Sequence, residues 1–405
     1  MFRSTLACLL LGFYYITFSQ QVGHEARGVG FWDNKTCNGS NGDEGICMSN
    51  LQCGMVKGKR VGNCGLFGAC CQVQRSCNQE TDQKVTFFNS PSTFTESDCN
   101  LKIKLQNRRI GQIRVDFLKM VLRQPSNKTS SFTCIDDTFT VTPSVGLPAL
   151  CGVNDGQHIY INVNASKPGY NSAELKFHIA KRSNNSEQAS WSLKITQLEV
   201  PPRNVQSPAF DADWDINSIF SDFSLNPTGG ITTKRGQNKQ RLRFILRVSD
   251  YDKVAPPGCL QYYTAKSGMY KSFNLNNNNG PHLANLNYAI CFKKVDGVCA
   301  IKHTPVFFQL SGNSNNMKAT DRDCDTQNGN NLLTEDYLFV PDGITSENVK
   351  ACKFCYNALG SNNSVTARSR GPQFVTFMSD DKIGDDETLK ELGFSMNYEF
   401  IDDSC

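Results

Sequence analysis

After its first twenty or so residues the chain has no apolar run approaching the ~20 residues that cross a bilayer as a helix, so no membrane span is expected. The terminal Asp402-Asp403-Ser404-Cys405 is polar, and no apolar tail precedes it of the kind exchanged for a lipid anchor. Histidine is scarce, with only His24, His158, His178, His282 and His303, and none stands in an H-E-x-x-H pair. That excludes a zincin-type metalloprotease. Neither Gly-Asp-Ser-Gly nor Gly-x-Ser-x-Gly occurs, so the usual surroundings of a serine nucleophile are missing too. The net charge of +4 is too mild for a nucleic-acid partner. With no nucleophile and base to pair, the chain is not expected to be an enzyme.

Cysteine is abundant: 18 in 405 residues. Residues 1–19 carry Arg3, an apolar stretch from Leu6 to Phe18 and the small residue Ser19, the layout of a secretory signal peptide. Cys8 would leave with it. The remaining cysteines would enter an oxidising compartment, where disulfides are the default. A secreted, extracellular protein is expected. Six N-x-S/T sequons, at Asn34, Asn38, Asn127, Asn164, Asn184 and Asn362, suit a surface glycoprotein. Hydrophobic content of 39% with 20% charged residues fits a folded chain rather than a disordered one.

Three modules follow. Residues 37–71 hold Cys37, Cys47, Cys53, Cys64 and the adjacent Cys70-Cys71 among Gly, Asn, Ser and Lys. So few apolar residues cannot bury a core, so the cysteines must staple the module, in any of fifteen connectivities. Residues 77–199 alternate in period two: Ile113, Val115, Phe117; Ile159, Ile161, Val163; Leu175, Phe177, Ile179; Trp191, Leu193, Ile195. With turn residues such as Asn154-Asp155-Gly156 and Pro168-Gly169 between the runs, this predicts half-buried antiparallel strands and a sandwich. Residues 259–405 repeat the order with Val306, Phe308, Leu310; Leu338, Val340; Val375, Phe377; and Phe394, Met396, Tyr398, Phe400. Landmarks recur as well. Cys134-Ile-Asp-Asp137-Thr-Phe139 leads to Leu150-Cys151, and Cys324 with Asp336-Tyr337-Leu338 leads to Phe354-Cys355.

Between the sandwiches, residues 200–258 read as an insert or linker. Asp211-Ala-Asp213-Trp-Asp215 imitates the start of a calcium loop but lacks the turn glycine and the distal Glu, and reads as a solvated acidic loop. Lys234, Arg235, Lys239, Arg241 and Arg243 offer charge to a sulfated glycan or an acidic protein face, or simply a solvated run; Lys234-Arg235 is also a candidate processing site. Arg108-Arg109 reads as an exposed strand face or edge. Cys352-x-x-Cys355 reads as two structural half-cystines before a redox or zinc pair.

The Cys134-x-x-Asp137-x-Phe139 step, Phe377-Met-Ser-Asp380 and Gly393-Phe-Ser-x-x-Tyr398 resemble CUB domains. Gly258-Cys-Leu-Gln-Tyr-Tyr263, His282-Leu-Ala-Asn-Leu-Asn-Tyr288, Ala289-Ile-Cys-Phe-Lys-Lys294 and Leu150-Cys-Gly-Val-Asn-Asp-Gly-Gln-His158 are similar to secreted arthropod proteins with tandem CUB domains. Such proteins tend to carry a short cysteine module ending in Cys-Cys, which here looks like a shortened clip-type module. The resemblance implies an all-β fold of two CUB-like antiparallel β-sandwiches plus a small disulfide-rich N-terminal module. It implies structural half-cystines at Cys77, Cys99, Cys134, Cys151, Cys259, Cys291, Cys324 and Cys355. Some CUB domains bind calcium through a Glu and two Asp residues. Asp336 and Asp380 match the two Asp positions in the second domain, without the Glu; Asp137 matches only the first in the other. Relatives often end each domain in a cysteine, and Val200 stands at the first such position. Seventeen mature cysteines leave one over, with Cys405 first in line for it and Cys352 or Cys299 behind. That thiol would serve an interchain disulfide or stay buried and free.

The function expected is non-catalytic binding of an extracellular protein or glycan. The alternatives are a regulator or scaffold of an extracellular serine-protease cascade and a disulfide-linked matrix protein.

Overall fold

The computed structural model describes residues 35–40, 42–65, 68–92, 97–126, 132–182, 188–200, 252–295, 297–310, 320, 324, 336–359, 363–369, 371–381 and 391–401. The expected signal peptide, the acidic and basic runs of the insert, Cys405 and the sequons at Asn34, Asn127, Asn184 and Asn362 lie outside the described residues. The chain divides into two compact units, Met1–Val73 and Gln74–Cys405.

The first unit is built on its cysteines. Strands β1 (Thr36–Asn38), β2 (Glu44–Ser49), β3 (Lys59–Cys64) and β4 (Gly68–Gln72) form one antiparallel sheet in the order β1-β2-β4-β3, with one helix among the described residues, α1 (Asn50–Met55). Ser49 starts that helix with a capping box: its hydroxyl accepts the Gln52 N–H, and the Gln52 side chain accepts the Ser49 N–H. The disulfides are Cys37–Cys70, Cys47–Cys64 and Cys53–Cys71. Neighbours on a strand point to opposite faces, so adjacent cysteines on β4 staple both sides of the sheet, Cys70 to β1 and Cys71 to α1. Each bridge removes roughly 3 kcal/mol of loop freedom from the unfolded chain.

The second unit holds two sandwiches. The first has β5 (Gln74–Arg75), β6 (Gln79–Thr81), β7 (Val85–Asn89), β8 (Ser97–Lys104), β9 (Ile110–Val121), β10 (Thr138–Thr142), β11 (His158–Asn162), β12 (Ser172–Ile179) and β13 (Ser190–Glu199). Its sheets run β10-β12-β8-β6 and β11-β9-β13-β7-β5. The second has β14 (Cys259–Tyr263), β15 (Ser267–Lys271), β16 (Asn287–Phe292), β17 (Ala300–Gln309), β18 (Tyr337–Phe339), β19 (Gly343–Thr345), β20 (Lys353–Cys355), β21 (Val365–Arg368), β22 (Gln373–Met378) and β23 (Gly393–Ile401). Its sheets run β14-β16-β22-β18-β20 and β15-β23-β17-β21-β19. The order β10-β12-β8-β6 thus reappears as β18-β22-β16-β14, and β11-β9-β13-β7 as β21-β17-β23-β15. Pairing is antiparallel apart from β5 with β7 and the matched pairs β6 with β8 and β14 with β16.

The two sandwiches match residue by residue at one irregularity. Ser192 and Leu193 of β13 face Lys119 and Phe117 of β9, which leaves Leu118 as a bulge; Ser395 and Met396 of β23 face Phe307 and Pro305 of β17, which leaves Val306. Each bulge shifts the inward phase by one residue. Val115 and Phe117 point inward before it and Met120 and Leu122 after it; Ile301 and His303 do so before the second and Phe308 and Leu310 after it. Val306, which simple alternation would bury, is therefore 55% exposed, and Leu118 is 52% exposed. The remaining alternating residues fill the two cores, with Phe177 stacked on Trp191 at 3.9 Å between centroids in the first and Phe377 edge-on to Phe394 at 5.1 Å in the second. Disulfides Cys77–Cys99 and Cys134–Cys151 close the first sandwich, Cys259–Cys291 and Cys324–Cys355 the second. Cys299 is disulfide-bonded as well, which removes it from the candidates for the odd thiol. Arg108-Arg109 lies in the turn between β8 and β9, where the Asn107 side chain accepts the Arg109 N–H, rather than on a strand.

A buried polar joint ties the sandwiches together along β11 and β14. Gln112 makes two bonds to the backbone of Ala255, both 2.8 Å, and the Tyr160 hydroxyl donates to the Lys253 carbonyl at 2.9 Å. His158 Nε2 lies 3.0 Å from the Tyr262 N–H and 3.1 Å from the Tyr262 carbonyl oxygen. Gln157 donates to the Ser272 carbonyl and accepts from Gln261. Asn274, in the left-handed region at φ +66°, accepts the Val153 N–H through its side chain, and its own N–H donates to Asn154 Oδ1. A Cβ at Gly152 would fall 1.8 Å from the Asn274 amide oxygen, so only glycine fits there. The end of the expected linker, residues 252–258, is thus part of the joint.

Candidate functional site

One buried carboxylate recurs at the same place in each sandwich, just before β10 and just before β18. The register proves the correspondence: Thr138 faces His178 as Tyr337 faces Met378, and Phe139 faces Phe177 as Leu338 faces Phe377. Asp137 Oδ1 accepts the N–H of Ala180, two residues past the facing His178. Asp336 Oδ1 accepts the N–H of Asp380, two past Met378, at 2.8 Å. These hydrogen bonds fasten the start of one strand to the end of its neighbour.

The counter-charges differ. In the first sandwich Asp137 Oδ2 accepts the Arg123 N–H at 2.9 Å and forms an ion pair with the Arg182 guanidinium. Asp137 is fully buried and the Arg182 side chain nearly so. In the second, Asp336 Oδ2 lies 2.9 Å from His282 Nε2, and Glu391 Oε2 lies 4.0 Å from the same nitrogen. The Leu310 carbonyl oxygen is 3.0 Å from Nε2, and the Leu283 carbonyl is 3.3 Å from Nδ1. All three side chains are buried. Burial alone would push the His282 pKa down; the charge and hydrogen bond of Asp336, helped by Glu391, outweigh it and hold the pKa up at about 9.

The backbone around this cluster is tightly tied. The His282 N–H donates to the Glu391 carbonyl, the Asn285 N–H to the Asp380 carbonyl, and the Ser379 hydroxyl to the Leu283 carbonyl. Gly393, at φ +103°, leads into β23, and a Cβ there would fall 2.1 Å from the Ser272 hydroxyl. The cluster is thus framed by the β15–β16 connection, the end of β17, the start of β18 and the approach to β23.

Calcium is the ion the sequence suggested for Asp336 and Asp380. Calcium takes six to eight oxygen ligands. Here the oxygens gathered about the imidazole nitrogen are Asp336 Oδ2, Glu391 Oε2 and the Leu310 carbonyl, while Asp336 Oδ1 accepts the Asp380 N–H. This donor set does not fit calcium. The grouping Cys37, Cys64 and Cys70 offers no thiolate either, because each sulfur is in a disulfide. Sequence reasoning did not find Arg182, His282 or Glu391 as partners of the two aspartates; only the landmark Asp137 and Asp336 carried a signal. Among the described sequons, Asn38 is exposed and Asn164 half-buried, with the Asn164 side chain accepting the Ser166 N–H.

Residues 256–401 match the family model described as the animal CUB domain. That stretch is a CUB domain. It contains β14 through β23 and the His282–Asp336–Glu391 cluster. No curated protein sequence matches the chain. Among solved structures, the chain is similar to the CUB1-EGF-CUB2 domains of rat MASP-1, at 14% identity over 80% of this chain and 100% of that one, with a TM-score of 0.24. It is also similar to the CUB1-EGF-CUB2 domain of human MASP-1/3, at 13% identity over 79% and 100%, with a TM-score of 0.23. CUB domains generally act as non-catalytic, extracellular protein-binding modules. No helix among the described residues is long and apolar enough to cross a membrane.

Proposed function

We propose that this is a secreted, non-catalytic glycoprotein that binds other extracellular proteins, or glycans on them, through two CUB-like sandwiches held at a fixed mutual orientation. The joint between the sandwiches is the observation that carries this reading. Six side chains of the first sandwich, Gln112, Gln124, Asn154, Gln157, His158 and Tyr160, hydrogen-bond across it. A partner touching both sandwiches therefore meets a preorganised surface, and no linker freedom is lost on binding. The disulfides of both units support an oxidising, extracellular setting.

The test is affinity capture from native extracellular fluid, followed by titration of the purified partner against the wild type and Asn274→Ala. Asn274→Ala removes the side-chain half of the Asn274 contact with the first sandwich. Saturable binding to the wild type, weakened tenfold or more in Asn274→Ala, is the expected result. Equal affinity for both would remove the fixed orientation from the reading, and the absence of any saturable partner would sink it. Capture of a protease or its inhibitor would assign the protein to a proteolytic cascade; recovery of the bait alone would move it to self-assembly.

A further inference from the structure

His282 Nε2, Asp336 Oδ2 and Glu391 Oε2 all lie within 4.8 Å of one another, in a cluster closed to solvent. The Leu310 carbonyl oxygen, beside the same His282 nitrogen, offers a fourth donor atom. From Nε2 the other three stand at 2.9, 3.0 and 4.0 Å. Donor atoms at ~2.0–2.2 Å from a tetrahedral zinc ion are roughly 3.4 Å apart, so these separations bracket the required one. Charge agrees with geometry, since two carboxylates and a neutral imidazole match a divalent cation. The chemistry agrees too: one imidazole with three oxygens suits zinc or a neighbouring transition ion, whereas calcium would want more oxygens and no nitrogen. A site with no open position is structural rather than catalytic.

The first sandwich supplies a second, independent observation. Its matching carboxylate, Asp137, is neutralised by the guanidinium of Arg182, a cation the protein carries permanently. The corresponding carboxylate of the CUB domain faces an imidazole and a second carboxylate, with no such permanent cation beside it among the described residues. We propose that His282, Asp336 and Glu391, with the Leu310 carbonyl, form a closed structural site for a divalent transition ion of the zinc class. The ion would tie the β15–β16 connection, the end of β17, the start of β18 and the approach to β23 into one end of the CUB domain.

The experiment uses the full-length protein purified from culture medium and stripped with a chelator. One equivalent of zinc is added, free metal is removed by gel filtration, and retained metal is measured by mass spectrometry. Expected are about one zinc per chain, retention unaffected by a large excess of calcium, and at least a hundredfold weaker binding in both His282→Gln and Glu391→Gln. His178→Ala, which removes an imidazole from the exposed Asp98–His178 pair, should leave retention unchanged. A readout on the wild type alone guards against variants that fail to fold: X-ray absorption of the bound zinc should show one imidazole nitrogen, oxygen ligands and no sulfur. Folded wild type that retains no zinc, equal retention in the variants, loss only in His178→Ala, or a sulfur-bearing shell would each overturn the proposal.

Discussion

The two sandwiches share strand order, bulge and buried carboxylate, yet Asp137 is matched by Arg182 and Asp336 by His282. An arginine keeps its charge at every physiological pH, so the first sandwich is balanced once and for all. An imidazole can lose its charge, here as pH climbs through about 9, so the balance of the second depends on pH as the first does not. One topology thus accommodates two electrostatic solutions, and the difference lies in residues outside the alternating pattern that builds the strands.

The most severe way to break the comparison is Arg182→Met. It leaves Asp137 fully buried beside an apolar side chain, and breaking a buried pair in this way costs about 3–5 kcal/mol. Calorimetry should show a large drop in the first sandwich's melting temperature, and a drop of a degree or less would show that Asp137 does not need its cation.

A pH series sharpens the contrast. The folded pKa of His282 is raised to about 9 from an ordinary 6.5, so folding takes up a proton there. In metal-free protein its contribution, up to a few kcal/mol, is fully present below pH 6.5 and is lost as pH climbs through about 9. His158 behaves oppositely: burial, aided by the Arg114 charge, lowers its pKa to about 3. Its joint is intact above pH 6.5 and weakens as pH falls toward 3. Denaturant titrations between pH 3 and 10 should therefore show losses at both ends. The alkaline loss should vanish in His282→Gln and persist in Arg182→Met; an unchanged alkaline slope in His282→Gln would reassign it.

The mildest test concerns the bulges. Leu118→Thr and Val306→Thr should each change stability by no more than about 0.5 kcal/mol, because both side chains face solvent. A loss of 2 kcal/mol or more at Val306 would return it to the core, where simple alternation puts it.

Much of this architecture was legible beforehand. Trp191-Ser-Leu193-Lys-Ile195 and Phe394-Ser-Met396-Asn-Tyr398 announce half-buried strands because strand geometry imposes a period of two, and their side chains are buried as that period requires. Val306 was misplaced because a bulge adds a residue to one strand with no mark in local composition. Asp137 and Asp336 stood out through the Cys, Asp and aromatic landmarks around them. Their cations did not, since Arg182 and His282 come to them across 45 and 54 residues of chain, and only the paired strands bring them near. The joint was missed for a related reason: Gln157 and Asn274 are ordinary polar residues until a second sandwich supplies their partners.

That joint changes what a cut in the chain would mean. The four disulfides located in the second unit each lie within a single sandwich, so none bridges the two. Cleavage at the dibasic Lys234-Arg235 would nevertheless leave residues 252–258 anchored by Gln112 and Tyr160, and β14 by His158. The product would be two polypeptides on a reducing, denaturing gel and a single particle in solution, so processing at that point would create new chain ends without releasing a fragment.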